Sequence, residues 1–363
     1  MIVALFGVAV GVVVAYMAYR FIAAITVAVF VYYSSRRFHK GLVRLRLPRR
    51  TRAVLTLSVL GVPLVLLISY TVVLLVVELR TFLANLEEYP MFDVLPGSHS
   101  WIESLGEVPE LTFQGLLAAH QDGALDPFID FAVEHAGFLS SVVVGFLLNL
   151  LIVTVVAYYL LLDGGRVRGW LLRFDDDAIV REYLEAADEE LEAVLFGNLL
   201  NVIIISVVAI VVYMGYNVAA PPLAEVPYPA LAGALTGIAS LIPVLGMKIV
   251  YVPLAVAAAL PVLASGDTSA LVYIAGFVVV VVVLVDTIPD LLLRPYLSGK
   301  RTHVGLLMLA YIFGPIVFGF YGLFLAPIIL VLGLTFADTA LPRLLGVQPE
   351  PGLPPDQRRL DEF

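Results

Sequence analysis

A chain of 363 residues in which 61% are hydrophobic and only 14% charged has no counterpart among soluble domains of its size. Its mean hydropathy of +0.99 comes from apolar runs longer than the roughly 20 residues that cross a bilayer core about 30 Å thick, so the chain reads as an all-α, polytopic membrane protein. The absence of cysteine excludes disulfides, iron–sulfur clusters and thiol catalysis, while the net charge of −9, with Lys only at Lys40, Lys248 and Lys300, suits a high-salt cytoplasm.

Residues 1–77 read as N-terminal membrane segments around a basic loop at 36–52. The first run, Ile2 to Tyr33, has no positive n-region and reads as a retained membrane segment. It is too long for one upright helix and too short for two spans, which leaves one tilted helix or a compact hairpin near Tyr19-Arg20, the hairpin being preferred. The following loop carries Arg36, Arg37, Lys40, Arg44, Arg46, Arg49, Arg50 and Arg52, and the positive-inside rule makes it cytoplasmic. Ala53 to Val77 then crosses outward to 78–137, a carboxylate-rich segment whose apolar residues recur at helical spacing between Pro90, Pro96, Pro109 and Pro127. This is expected to be a small external helical domain.

Residues 138–162 read as a returning span and 163–195 as a cytoplasmic amphipathic stretch. DGGRVRGWLLRF (Asp163 to Phe174) is expected to be an interfacial turn, and Asp175, Asp176 and Asp177 to cap the next helix. One face of that helix carries Glu182, Glu185, Glu189, Glu190 and Glu192, which predicts packing on protein, of this or a neighbouring subunit, rather than on anionic lipid.

Residues 196–338 form a C-terminal membrane core, followed by a cytoplasmic tail at 339–363. The apolar run Pro229 to Val262 contains SLIPVLGMKIVYVP (Ser240 to Pro253), with Pro243, Gly246 and Lys248 inside it. As one straight helix it would be about 51 Å long, beyond the hydrocarbon thickness. It would also send Arg294, Lys300, Arg301 and His303 outside, against the positive-inside rule. A bend at 242–246 removes both conflicts. Val304 to Ala337, interrupted by Gly314, Pro315, Gly319 and Gly322, follows the same logic from the cytoplasmic side. The expected architecture therefore has about five to eight membrane segments, two of them broken or re-entrant hairpins at 229–262 and 304–337, and such paired breaks point to a midplane substrate or ion site. Ordinary kinked helices packed through small residues such as Gly233 and Gly237 are the simpler alternative.

Ionisable groups at membrane depth are functional candidates by default. Lys248 could hold a substrate, or it could snorkel or pair with Asp286. Asp286 and Asp290, four residues apart, could share a proton or a cation, but for Asp290 an interfacial ion pair with Arg294 is the preferred reading, which leaves Asp286, deeper in the run, as the better ion-site candidate. Asn149, Asn198, Asn201 and Thr236 could line a polar path or simply join helices, and His303 reads as interfacial. No motif for a zinc hydrolase, serine hydrolase, phosphate loop or dinucleotide fold occurs, so no enzyme activity, cofactor, metal or nucleic-acid partner is expected.

VPYPALAGALTGIASLIPVLG (Val226 to Gly246), DLLLRPYLSGKRTHVG (Asp290 to Gly305) and FGFYGLFLAPIIL (Phe318 to Leu330) resemble, in this order, three blocks of the autoinducer-2 exporter family of transporters. LLDGGRVRGWL (Leu161 to Leu171) and FGNLLN (Phe196 to Asn201) fall where that family has further glycine motifs. The sequence departs from the pattern at Asn198, Leu291, Val304 and Met247-Lys248. The resemblance implies a multi-pass, homo-oligomeric exporter in the plasma membrane, moving small polar metabolites or, in some members, exchanging sodium or lithium for protons. A non-transporting membrane scaffold or sensor, binding a partner through the external segment, remains the reading of another class.

Overall fold

The structure is a computed structural model that describes residues 2–59, 136–171, 178–243, 245–265, 268–291 and 302–345, with 61–63, 66, 70 and 133. The external segment, the Asp175 to Asp177 cap, Val244, Arg294, the Lys300-Arg301 turn and the tail beyond 345 lie outside the described residues. Two compact units are present, Met1–Leu57 with Val153–Phe363, and Ser58–Ile152.

All described regular elements are helical. In chain order they are α1 (Ile2–Arg20), α2 (Ile22–Gly41), α3 (49–59), α4 (Ala136–Leu171), α5 (Ala178–Ala219), α6 (Pro229–Ala239), α7 (Gly246–Ser265), α8 (Leu271–Val281), α9 (Val304–Phe318) and α10 (Gly322–Leu344). A π-helical stretch, Val282–Thr287, continues α8. Among the described residues five helical segments are long and apolar enough to cross a membrane: Ala136–Val167, Ile179–Ala219, Gly246–Leu263, Thr268–Leu291 and Gly322–Leu344. The chain is thus a polytopic, multi-pass membrane protein.

The N-terminal run is not one tilted helix; it breaks at Phe21, beside Tyr19-Arg20 where the hairpin was expected, though the 76° at which α1 and α2 meet is well short of a full reversal. A second correction concerns 163–174. The helix does not turn at Asp163 but runs to Leu171, because Asp163 pairs with Arg166 one turn on at 2.9 Å and both glycines stay helical. Gly164 also fits closely against the hydroxyl of Tyr32, whose ring would have to shift to admit a Cβ there. Within the unit Ser58–Ile152, the start of α4 exposes Phe138, Val142, Val143, Val144 and Phe146, and Asn149 donates to the Gly145 carbonyl of its own helix.

Helix α5 organises the larger unit. Its 42 residues span about 63 Å, and its two ends do different work. Near its start, the acidic face meets the basic end of α2: Asp188 takes Arg36 at 2.7 Å and the Tyr33 hydroxyl at 3.0 Å. Glu192 takes Arg36 at 3.2 Å, Arg37 at 3.5 Å and Lys40 at 2.8 Å. Ser34 also donates to the buried Leu195 carbonyl. Asp188 and Glu192 thus find their neighbour in α2 of the same chain, whereas Glu182 and Glu190 of the same helix meet the second hairpin instead.

Helix α6 runs back along the far half of α5. Asn217 exchanges two hydrogen bonds with the backbone of Val226, Gly233 lies against the Ile210 backbone, Tyr213 bonds Thr236 at 3.0 Å, and Gly237 lies against Ser206. These glycines set the closeness: a Cβ at Gly233 would sit 2.5 Å from the Ile210 nitrogen. The chain turns at 240–245 and α7 returns, ending where Val262 packs with Ala224 and Ile274. The core of this half joins Ile205, Ala209 and Tyr213 to Met247, Tyr251, Phe277, Val281 and Val285.

The second hairpin packs on the near half of α5. Thr302 is held by buried Glu190, and Arg343 pairs with Glu182, so both roots of α9 and α10 lie at the same end of α5. Between them, Leu191, Val194 and Leu195 pack with Leu307, Tyr311, Ile328 and Val331.

Candidate functional site

The two hairpins approach α5 from opposite ends, and they meet it around Asn198 and Asn201. A cavity of about 30 Å³ opens there, lined by Gly197, Asn198 and Asn201 of α5, Ser240 and Pro243 of the α6–α7 turn, and Tyr311 with its apolar neighbours of α9. That is room for about one water or one small polar group.

Local chemistry explains why the turn stops at this depth. Pro243 has no N–H to continue α6, and Ser240 folds its hydroxyl onto the Gly237 carbonyl at 2.6 Å, satisfying an end that would otherwise face the cavity. The Gly246 N–H closes the turn on the Ile242 carbonyl at 3.0 Å. A Cβ on Gly246 would fall on the Ala239 carbonyl oxygen, so only glycine lets α7 start this close to the end of α6.

The cavity wall is polar but uncharged. Asn201 is 4% exposed, and among the described residues its Oδ1 has no hydrogen-bond donor and the buried Nδ2 of Asn198 no acceptor. A buried amide left without a partner costs about 1–3 kcal/mol, which an entering water or solute would relieve by bonding both atoms.

Lys248 and Asp286 do not join this cavity. Lys248 lies in the first turn of α7 and places its Nζ 2.6 Å from Asp286 Oδ2, and the Tyr251 hydroxyl donates to the same oxygen at 3.1 Å. The Asp286 side chain is 8% exposed and sits in the π-helical stretch, a distortion often found at functional positions. Asp290 lies one turn on, in the same segment. The remaining breaks have a packing role: Gly314 and Gly322 touch backbone to backbone across the second hairpin, and Gly319, at φ +74, makes the turn that follows the Pro315 end of α9. His303 caps α9 by accepting the Gly305 N–H at 3.2 Å. Thr236 serves α5–α6 contact rather than the cavity.

Sequence reasoning missed Ser240, Tyr311, Tyr251 and Glu190. Tyr251 had a usable signal, since it follows Lys248 by three residues and so shares its helix face. Ser240 and Tyr311 become neighbours of the site only through packing, and Glu190, named in the sequence only as part of an acidic face, holds Thr302 at the root of α9.

The chain matches the family model described as "AI-2E family transporter" over residues 5–341. It is 30% identical over 188 residues to a protein of Archaeoglobus fulgidus, covering 50% of this chain and 51% of the relative. It is 26% identical over 212 residues to one of Methanocaldococcus jannaschii, covering 56% and 58%. A relative in Methanothermobacter thermautotrophicus is 28% identical over 183 residues, covering 48% and 49%. All three carry the name "Putative transport protein", and this chain spans about half the length of each. With a family model matching nearly end to end, the chain belongs to the AI-2E transporter family.

Proposed function

We propose that the protein is a secondary membrane transporter that exports small polar metabolites, with the cargo path passing through the cavity between α5, the α6–α7 turn and α9. The observation that carries this reading is a pair of amide atoms without a partner among the described residues, Asn198 Nδ2 and Asn201 Oδ1, held at the meeting point of two broken segments. Broken backbone at membrane depth is tolerated where it lines a wet cavity, and both family membership and the absence of a nucleotide-binding motif agree with transport that is not driven by ATP. On the same reading the basic end of α2 and the roots of the second hairpin are cytoplasmic, and the protein assembles as a homo-oligomer.

The alternative of cation/proton antiport through Asp286 is disfavoured by a specific contact, because that carboxylate already has the Lys248 ammonium at 2.6 Å. The cysteine-free chain allows a direct test. Single cysteines at Ser240 and Met308 in sealed vesicles should react with a membrane-impermeant thiol reagent from one side. Asn201→Leu should lower efflux of preloaded small polar metabolites from proteoliposomes. Cysteines inert from both sides, with Asn201→Leu unchanged, would favour the scaffold reading.

A further inference from the structure

The Lys248–Asp286 pair lies apart from the cavity and has no part in the cargo path just described. An aspartate 8% exposed in a span as apolar as 268–291 cannot remain charged alone, since stranding a carboxylate there costs several kcal/mol. Something positive must sit beside it. Here that role falls to a single ammonium, a compact point charge on a flexible stem, rather than to a planar guanidinium that would bond in two places. The ammonium arrives from outside the pocket: the Lys248 side chain is 40% exposed while its Nζ reaches inward to Oδ2. Because the stem is not enclosed by the chain, shortening it would withdraw the ammonium from the carboxylate without removing packing from the buried core.

Two oxygens meet at that position within an otherwise apolar cluster that includes Met247, Val281 and Val285. Oδ2 is joined by the Tyr251 hydroxyl, which could turn a lone pair toward a cation, and the segment carrying Asp286 departs from regular α-helical bonding over Val282–Thr287. Among the described residues the other titratable side chains nearby are Tyr213 of α5, also a hydroxyl, which interacts with Tyr251, and Asp290, a second carboxylate one turn on from Asp286. Carboxylate and hydroxyl oxygens suit hard cations.

We propose that Lys248 is a tethered counter-cation: its ammonium fills the position beside Asp286 that a free monovalent cation would otherwise hold, and removing it exposes a sodium- or lithium-binding site made by Asp286 and Tyr251. Lys248 lies five residues beyond Pro243, so the charge at this position also fixes the arm that carries the cavity-lining turn. Taken with the transport reading above, on which this consequence rests, the natural protein works without a bound monovalent cation.

The test uses the purified full chain and needs no transport assay, so its failure is separable from failure of the pathway. Sodium-22 binding and thermal stability are measured at constant ionic strength in sodium, lithium or choline chloride. The natural chain should show no sodium binding that Asp286→Asn abolishes. Lys248→Ala and Lys248→Gln should gain saturable sodium binding and a higher Tm in sodium or lithium than in choline, and both gains should vanish when Asp286→Asn is added. Recovery of folded Lys248 variants only when sodium or lithium is present would support the proposal equally. It is overturned if the natural chain binds sodium through Asp286, or if both Lys248 variants fold without any cation response. It is also overturned if they fail in every salt while Lys248→Ala/Asp286→Asn folds.

Discussion

The two hairpins use the same residues, glycine and proline, for opposite purposes. In α6–α7 the break leaves a turn of several residues with Ser240 and Pro243 facing a cavity, and its returning arm is fixed by a charge pair. In α9–α10 the break is closed: Gly314 and Gly322 are in backbone contact, the turn between them is short, and Phe320 and Phe324 pack edge to face at 6.2 Å. The charged contacts of this second hairpin lie at its roots, on Glu182 and Glu190, not within its body. A helix break is thus not itself a site; it becomes one where polar groups remain without partners beside it.

This contrast is most severely tested at Gly246. Gly246→Ala puts a methyl group on the Ala239 carbonyl, and the cost should reach about 4 kcal/mol or more, the range of the worst single substitutions. The check is loss of the monodisperse peak in detergent size-exclusion chromatography. Next comes Lys248→Met assayed in choline, which strands Asp286 and should cost about 3–5 kcal/mol in thermal or denaturant unfolding. Asp286→Leu should cost less, because the freed Lys248 can extend toward water. Gly314→Ala, which overpacks the closed hairpin, should cost about 1–3 kcal/mol while leaving cavity labelling one-sided. Asn201→Leu should change stability by no more than about 1 kcal/mol, because the lost amide had an unmet acceptor, yet it should reduce solute efflux. Arg343→Ala, removing a partly exposed pair with Glu182, should stay within about 1 kcal/mol by the same unfolding measurement.

Much of the architecture is legible in the sequence because its causes are local. Apolar run length gives the spans, and Pro243 with Gly246 marks where α6 must end and α7 can begin. Pairing of Lys248 with Asp286 was one of the readings the sequence left open, since a lone charge in either run needs a partner. The position of the break at Phe21 was legible beside Tyr19-Arg20, but its 76° was not, because an apolar run carries no record of its angle. The continuous α4 was misread for a related reason: Asp-Gly-Gly signals a turn in water, but backbone groups near a membrane gain more by staying hydrogen-bonded in a helix. The cavity lay furthest from view, since Asn198, Ser240 and Tyr311 come from three separate elements and no spacing relates them.

One property of α5 has a mechanical meaning. At about 100° per residue, Asp188 and Glu192 point one way, while Glu190, Val194, Gly197 and Asn201 point nearly opposite. The first pair grips α2 and the second set grips the root of α9 and the cavity, so one uninterrupted helix fixes the angular phase between them. Inserting a single residue after Glu192 would rotate Asn198 and Asn201 by about 100° relative to the α2 grip and turn them from the cavity into the apolar packing beside it. Inserting a full turn of four residues would nearly restore the direction but shift it by about 6 Å along the axis. The length of α5 is therefore a vernier, setting where the two opposed hairpins meet.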